Sequence, residues 1–215
     1  MNFNEELNQK NWIMKKIKIF AAALIISAIP YSCTDEFLDQ PAVGVISESN
    51  LLNPNGIEGL LVGAYSLLNG SGTNILSEPL TLLFSSIASD ETGKGSDPGD
   101  QPAMDEYETF LVTSGNTNHL DLWRHYFNGV NRCNQVLKLL PDVKGINDTR
   151  KKIIEAEARF LRGHYYFYLK RSFKNIPWID ETSPDVRVSN TENNDGVTYV
   201  NIWPKIAEDF DFARK

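Results

Sequence analysis

Apolar residues recur along this chain at spacings of three and four, and four stretches read as helices on that pattern. Ile57, Leu60, Leu61, Ala64, Tyr65 and Leu68 form the stripe of the first, which the Gly70-Ser71-Gly72 turn ends. Gly59 and Gly63 inside it either weaken the helix or mark close approach of a neighbour. Leu120, Trp123, Phe127, Val130, Asn134 and Leu137 make the second, closed by Pro141. The third carries two apolar sets: Ile153, Ala156, Phe160 and Phe167 on one side, and Ile154, Ala158, Leu161, Tyr165, Tyr168 and Leu169 on the other. A helix apolar nearly all round belongs between neighbours rather than on a surface. The fourth stripe, Tyr199, Ile202, Ile206, Phe210 and Ala213, contains Pro204, which costs a hydrogen bond unless it falls in the first turn.

The ends of the third helix are equally legible. Asn147 and Asp148 supply its capping residue. Lys170 and Arg171 suit the negative end of its dipole, Asn175 fits the left-handed cap position, and Pro177 forbids continuation. The short connection 142–148 makes the second and third helices an antiparallel hairpin. Arg159 and Arg162 sit within the apolar rod, so each needs a fixed acidic or carbonyl partner, with Glu155 the nearest for Arg159. Between the helices, residues 92–104 hold Gly93, Gly95, Pro98, Gly99 and Pro102 and read as loop. Residues 180–195 are polar and also read as loop, while the apolar stretch 79–88 is too short to assign. The predicted class is mostly α.

The run from Glu157 to Ile179, EARFLRGHYYFYLKRSFKNIPWI, resembles the signature helix of the SusD/RagB family of outer-membrane, substrate-binding lipoproteins. Trp123, Tyr126, Asn131 and Asn134 are similar to that family's preceding tryptophan–asparagine helix. The residues themselves read as scaffold, with the aromatic rings anchoring the hairpin and the amides bonding across it. The resemblance implies tetratricopeptide-like helix pairs with long loops.

The N-terminus extends the resemblance. Lys15, Lys16 and Lys18 precede a short apolar run and then Cys33, the pattern of a secretory signal ending at a lipidated cysteine. Tyr31 departs from the usual small-residue pattern there. Several acyl chains on Cys33 would anchor the protein stably. The sequence after it, Phe37-Leu38-Asp39 then Pro41, is similar to the family's mature start, and Asp35 and Glu36 resemble a surface-export signal. The chain thus divides into an upstream extension (1–13), a signal peptide (14–32), a lipidated, extended lead (33–55, with Pro41 and Pro54 as breakers) and a SusD-like helical domain (56–215). The fourth stripe stops at Lys215 with no cap, so Ile206 and Phe210 are expected to be partly exposed, and the domain reads as truncated.

Composition adds exclusions. The 215 residues are 41% hydrophobic and 23% charged, enough for a real core, and a net charge of −7 argues against nucleic acid as a partner. Cys33 and Cys133 are the two cysteines; with Cys33 acylated no disulfide framework is expected, and Cys133 reads as a buried small hydrophobe. His119, His125 and His164 lack metal spacing, and Gly93-x-Gly95 lacks the context of a phosphate loop. No cofactor, metal or catalytic group is expected. The acidic set Asp97, Asp100, Asp105, Glu106 and Glu108 reads as a solvated loop.

The resemblance implies a substrate-capturing subunit, displayed at the outer-membrane surface, that partners a SusC-like TonB-dependent transporter and takes up an oligosaccharide or peptide. The rival reading is a helical-repeat scaffold lipoprotein facing the periplasm. Ligand-binding candidates lie at and after the Asp90-Glu91 pair: Asp90, Glu91, Asp97 and Asp100. Residues 92–104 hold no aromatic ring to stack on a sugar, so gripping of a glycan is expected to fall elsewhere.

Overall fold

The computed structural model describes residues 47–69, 86–89, 91–183, 188–192 and 195–215, together with positions 12, 14–16 and 18. Contacts divide the chain into Met1–Ser47 and Glu48–Lys215. The lipidation candidate Cys33, most of the signal sequence and Asp90 lie outside the described residues. In the second unit α1 is Glu48–Leu51, α2 Pro54–Tyr65, α3 Pro102–Glu108, α4 Thr117–Leu139, α5 Asp148–Phe173 and α6 Trp203–Ala213. Among the described residues there is no strand, and the one β-bridge joins Thr191 to Tyr199. The fold is mostly α, as predicted.

α4 and α5 form the antiparallel hairpin. Trp123 meets Phe173, Phe127 meets Tyr166 and Asn134 meets Arg162, so position falls along one helix as it rises along the other. Tyr126 stacks on Tyr168 with centroids 5.6 Å apart and planes at 8°. The backbones come close because Gly129 has no side chain: a Cβ there would lie 2.6 Å from the Tyr165 ring. α6 then packs antiparallel on α5, with Trp203 near Phe167 and Phe210 near Phe160. α2 runs alongside α5 in the same sense, Glu58 pairing with Arg150 and the Ala64 carbonyl accepting from the Tyr165 hydroxyl at 2.6 Å.

Helix ends follow local chemistry. The Asn147 side chain accepts from the Arg150 N–H at 2.8 Å and starts α5. The left-handed residue at its other end is Lys174, with φ 61°, and not Asn175. Ile176 is fully buried, which forces the turn one residue earlier. Pro54 opens α2, with Asn53 as its cap, so it does not break an extended lead; the helical region already begins with α1. Proline suits a first turn, whose N–H groups have no intrahelical acceptor. Pro204 takes the same place in α6.

Several faces differ from the sequence reading. In the first stripe Leu67 is buried while Tyr65 and Leu68 are exposed. The chain tightens to a 3₁₀ turn over Ser66–Asn69, and three residues per turn carry the buried position from Ala64 to Leu67. Gly59 and Gly63 mark no close approach, since a Cβ at either meets nothing within 4 Å among the described residues. Leu120 is exposed and Leu122 buried, because the first turn of α4 faces a small second core and not α5. On α5, Ile153 and Phe160 are substantially exposed, although Phe210 of α6 packs edge-on against the Phe160 ring at 5.6 Å and Phe212 lies under the Arg159 guanidinium at 4.3 Å. Asn131 is exposed and does not bond across the hairpin as expected. Tyr199 is exposed and precedes α6, whereas Ile206 is 3% exposed and Phe210 half-buried, because both pack against α5. Ile206 is therefore covered against expectation, whereas Phe210 is partly exposed as expected.

Candidate functional site

The arginines in α5 find their partners in a buried polar cluster. Arg159 pairs with Glu155 at 3.2 Å, as the spacing predicted. Arg162, 3% exposed, donates from Nε to Asp209 Oδ2 at 2.7 Å and from Nη2 to Oδ1 at 2.8 Å, and from Nη1 to Asn134 Oδ1 at 3.0 Å and to Glu181. Burial opposes its charge, yet Asp209 and Glu181 hold its pKa above the ordinary arginine value. Asn134 Nδ2 donates to the Ile179 carbonyl at 3.0 Å, and the Tyr166 hydroxyl bonds both the N–H and the carbonyl of Ile179. Trp178 stacks on Tyr166 at 4.4 Å. This cluster joins α4, α5, α6 and residues 176–181. Its polar atoms are turned inward on one another, so it is scaffold.

The surface that can receive a ligand is built differently. Residues 91–101 form a loop, α3 follows, and residues 109–116 turn into α4. The loop ends at residue 101, not 104 as predicted, because Pro102 starts α3. Lys94 Nζ lies 2.6 Å from the Asp100 carbonyl and 2.7 Å from Asp105 Oδ1. Glu106 accepts from the Thr113 N–H at 3.1 Å and from Asn116 Nδ2 at 3.0 Å. Asn116 also donates to the Ala103 carbonyl at 2.8 Å, and its Oδ1 caps α4 by accepting from Asn118 N–H at 3.0 Å. The amide of Asn116, then the Thr113 N–H, hold the Glu106 carboxyl below its usual pKa. Asp105, Glu106 and Glu108 thus lie on a helix, the first two bonded, and are not part of a solvated loop.

At the tip of this unit Phe110 has φ 57° and is 73% exposed, and Leu111 is 71% exposed. A left-handed conformation is costly for a residue with a bulky side chain. The turn is held there by Phe110 N–H donating to the Tyr107 carbonyl at 3.3 Å and Leu111 N–H to the Glu106 carbonyl at 2.9 Å. A ring presented to solvent by a strained, hydrogen-bonded turn is suited to stack on the apolar face of a ligand. Of the sequence candidates, Glu91, Asp97 and Asp100 are exposed on the loop of the same unit. Phe110 went unnoticed in the sequence because it follows the loop by six residues. Only its place in the polar run Glu108-Thr109 and Thr113-Ser114 signalled it.

The three histidines are half-buried and the free cysteine is buried. Burial lowers the pKa of His119, against an opposing pull from Glu106, and likewise lowers those of His125 and His164. Burial pushes the Cys133 thiol up to about 12, which leaves it a protonated core residue. No cluster of histidine, cysteine and carboxylate fit to hold a metal occurs among the described residues.

These features define a helical scaffold that carries an exposed loop and turn, the candidate site. The family model described as "Starch-binding associating with outer membrane" matches residues 47–215, and the chain belongs to this SusD-like family. SusD-like protein P2 of Formosa agariphila is 24% identical over 209 residues, which is 94% of this chain and 38% of the relative. The structure of surface glycan-binding protein A from Bacteroides fluxus is similar with a TM-score of 0.53 and 29% identity, covering 74% of this chain and 32% of that one. The chain therefore covers about a third of the length of the relatives it matches.

Proposed function

We propose that this protein captures glycans at the outer face of the outer membrane, anchored by lipid on Cys33, and delivers them to a SusC-like TonB-dependent transporter. The observation that carries this reading is the family match over the whole folded unit, 47–215. Its relatives' descriptions, as a SusD-like protein and a surface glycan-binding protein, favour oligosaccharide over peptide as the ligand. Phe110 supplies the ring that residues 92–104 lack, and Glu91, Asp97 and Asp100 supply carboxylates able to accept from sugar hydroxyls. The work is binding and delivery, not catalysis.

Titration calorimetry of the chain without its signal, against maltooligosaccharides and against a peptide mixture, tests this reading. Saturable glycan binding that Phe110→Ala weakens supports it. Binding of peptide alone, or glycan binding indifferent to Phe110→Ala, overturns the site. The anchor is tested separately: Cys33→Ser is expected to abolish labelled-palmitate incorporation and release the protein from membranes.

A further inference from the structure

Lys94 stands apart from the loop that contains it. Apart from Lys94 and Gln101, residues 91–101 are exposed, yet the Lys94 side chain is only 7% exposed. Its ammonium points back into the unit, 2.6 Å from the Asp100 carbonyl across the loop and 2.7 Å from Asp105 Oδ1 in the first turn of α3. The backbone turns beside it at Gly95, whose φ of 75° suits glycine. A lysine used to read a ligand keeps its ammonium toward solvent, whereas this one surrenders water for two internal acceptors.

We propose that Lys94 is the positioning residue of the ligand loop: its buried ammonium clasps residues 94–100 to α3, and so fixes the outward carboxylates Asp97 and Asp100 on the unit that carries Phe110. It acts through the loop and does not touch the ligand. Ordering the loop before binding removes a conformational cost that binding would otherwise bear. Loops rich in glycine have most to gain, because their free backbone loses the most entropy on ordering. The proposal deepens the glycan reading and rests on it for the ligand, though not for the clasp.

The clasp is tested by hydrogen exchange on the 215-residue chain, with calorimetry against maltooligosaccharides run beside it. Lys94→Met keeps the apolar stem and removes the charge. It is expected to speed exchange across 92–100 by about tenfold, to leave α4 and α5 unchanged, and to weaken glycan binding by roughly three- to tenfold, tenfold being about 1.4 kcal/mol. Lys94→Arg is expected to restore part of the protection, which a purely packing role would not. Asp105→Asn is expected to loosen the loop less, and to add little on top of Lys94→Met. Unchanged exchange in Lys94→Met overturns the clasp. Faster exchange with unchanged glycan affinity overturns the positioning role. Absence of glycan binding by the unaltered chain overturns the ligand reading alone, and exchange still decides the clasp.

Discussion

The hairpin core and the loop–helix–turn unit are built from the same helix-forming chain but secured in opposite ways. The main core draws on α2, α4, α5 and α6, and around Arg162 it adds a buried ion pair between α5 and α6, with Asn134 of α4 hydrogen-bonded to the same guanidinium. The smaller core consists, among the described residues, of Ile87, Met104, Tyr107 and Leu122, with partly buried neighbours such as Val112 and Tyr168. Beyond it, the unit relies on Lys94, Glu106 and Asn116, each bonding to a backbone group of another part of the unit. Apolar area supplies stability in bulk, whereas a few polar bonds supply shape at little depth. Binding surfaces tend to sit on segments of the second kind, held by a scaffold of the first.

The contrast is tested hardest at Asp209. Asp209→Ala leaves the buried Arg162 guanidinium with only Glu181 and Asn134 as partners, and breaking a buried pair costs up to about 3–5 kcal/mol. Urea denaturation is expected to show that loss as a single shift of the whole transition. A cost below about 1 kcal/mol would mean that the pair is relieved by water and that the hairpin is held by apolar packing alone. Gly129→Val strikes the same region without touching charge. Its side chain must displace the Tyr165 ring, which is fully packed, and overpacking costs about 1–3 kcal/mol, again read from urea denaturation.

Asn116→Ala acts on the other region. It removes the cap of α4 and one bond to Glu106, and loss of a cap costs about 1 kcal/mol. Hydrogen exchange is expected to accelerate across 103–118 while α5 keeps its protection. Acceleration in both would erase the distinction between the two regions. The smallest effect is favourable: Gly59→Ala, in open space in the middle of α2, is expected to stabilise by about 0.5–1 kcal/mol, read as a raised Tm.

Much of the scaffold was written in local sequence. The Asn147 cap, the basic last turn of α5, the hairpin joining α4 to α5 and the pairing of Arg159 with Glu155 all depend on residues within a few positions of one another. Such features follow from helix geometry, which sets what lies three or four residues away. The family, too, was legible, because the signature helix carries a dense set of residue types at fixed spacing. Residues whose partners are distant could not be placed this way. Asp209 meets Arg162 from 47 positions downstream, a pairing that exists only once α6 lies on α5. Leu67 replaced Leu68 in the core because a helix tightened, and Lys174 replaced Asn175 at the left-handed position because Ile176 had to be buried.

The candidate site shows the same limit most clearly. Its carboxylates could be read from the loop composition, yet its exposed ring could not. The sequence by itself determined the long helices and the family they belong to, since propensity, capping and periodicity are short-range, whereas α1 and the start of α3 fell in stretches that read as extended lead and loop. Only the tertiary structure decided that Phe110 faces solvent in a left-handed turn and that Lys94 faces inward. Those orientations are set by where α3 sits against α4 and by which backbone groups then need a partner, a balance no residue carries in its own neighbourhood.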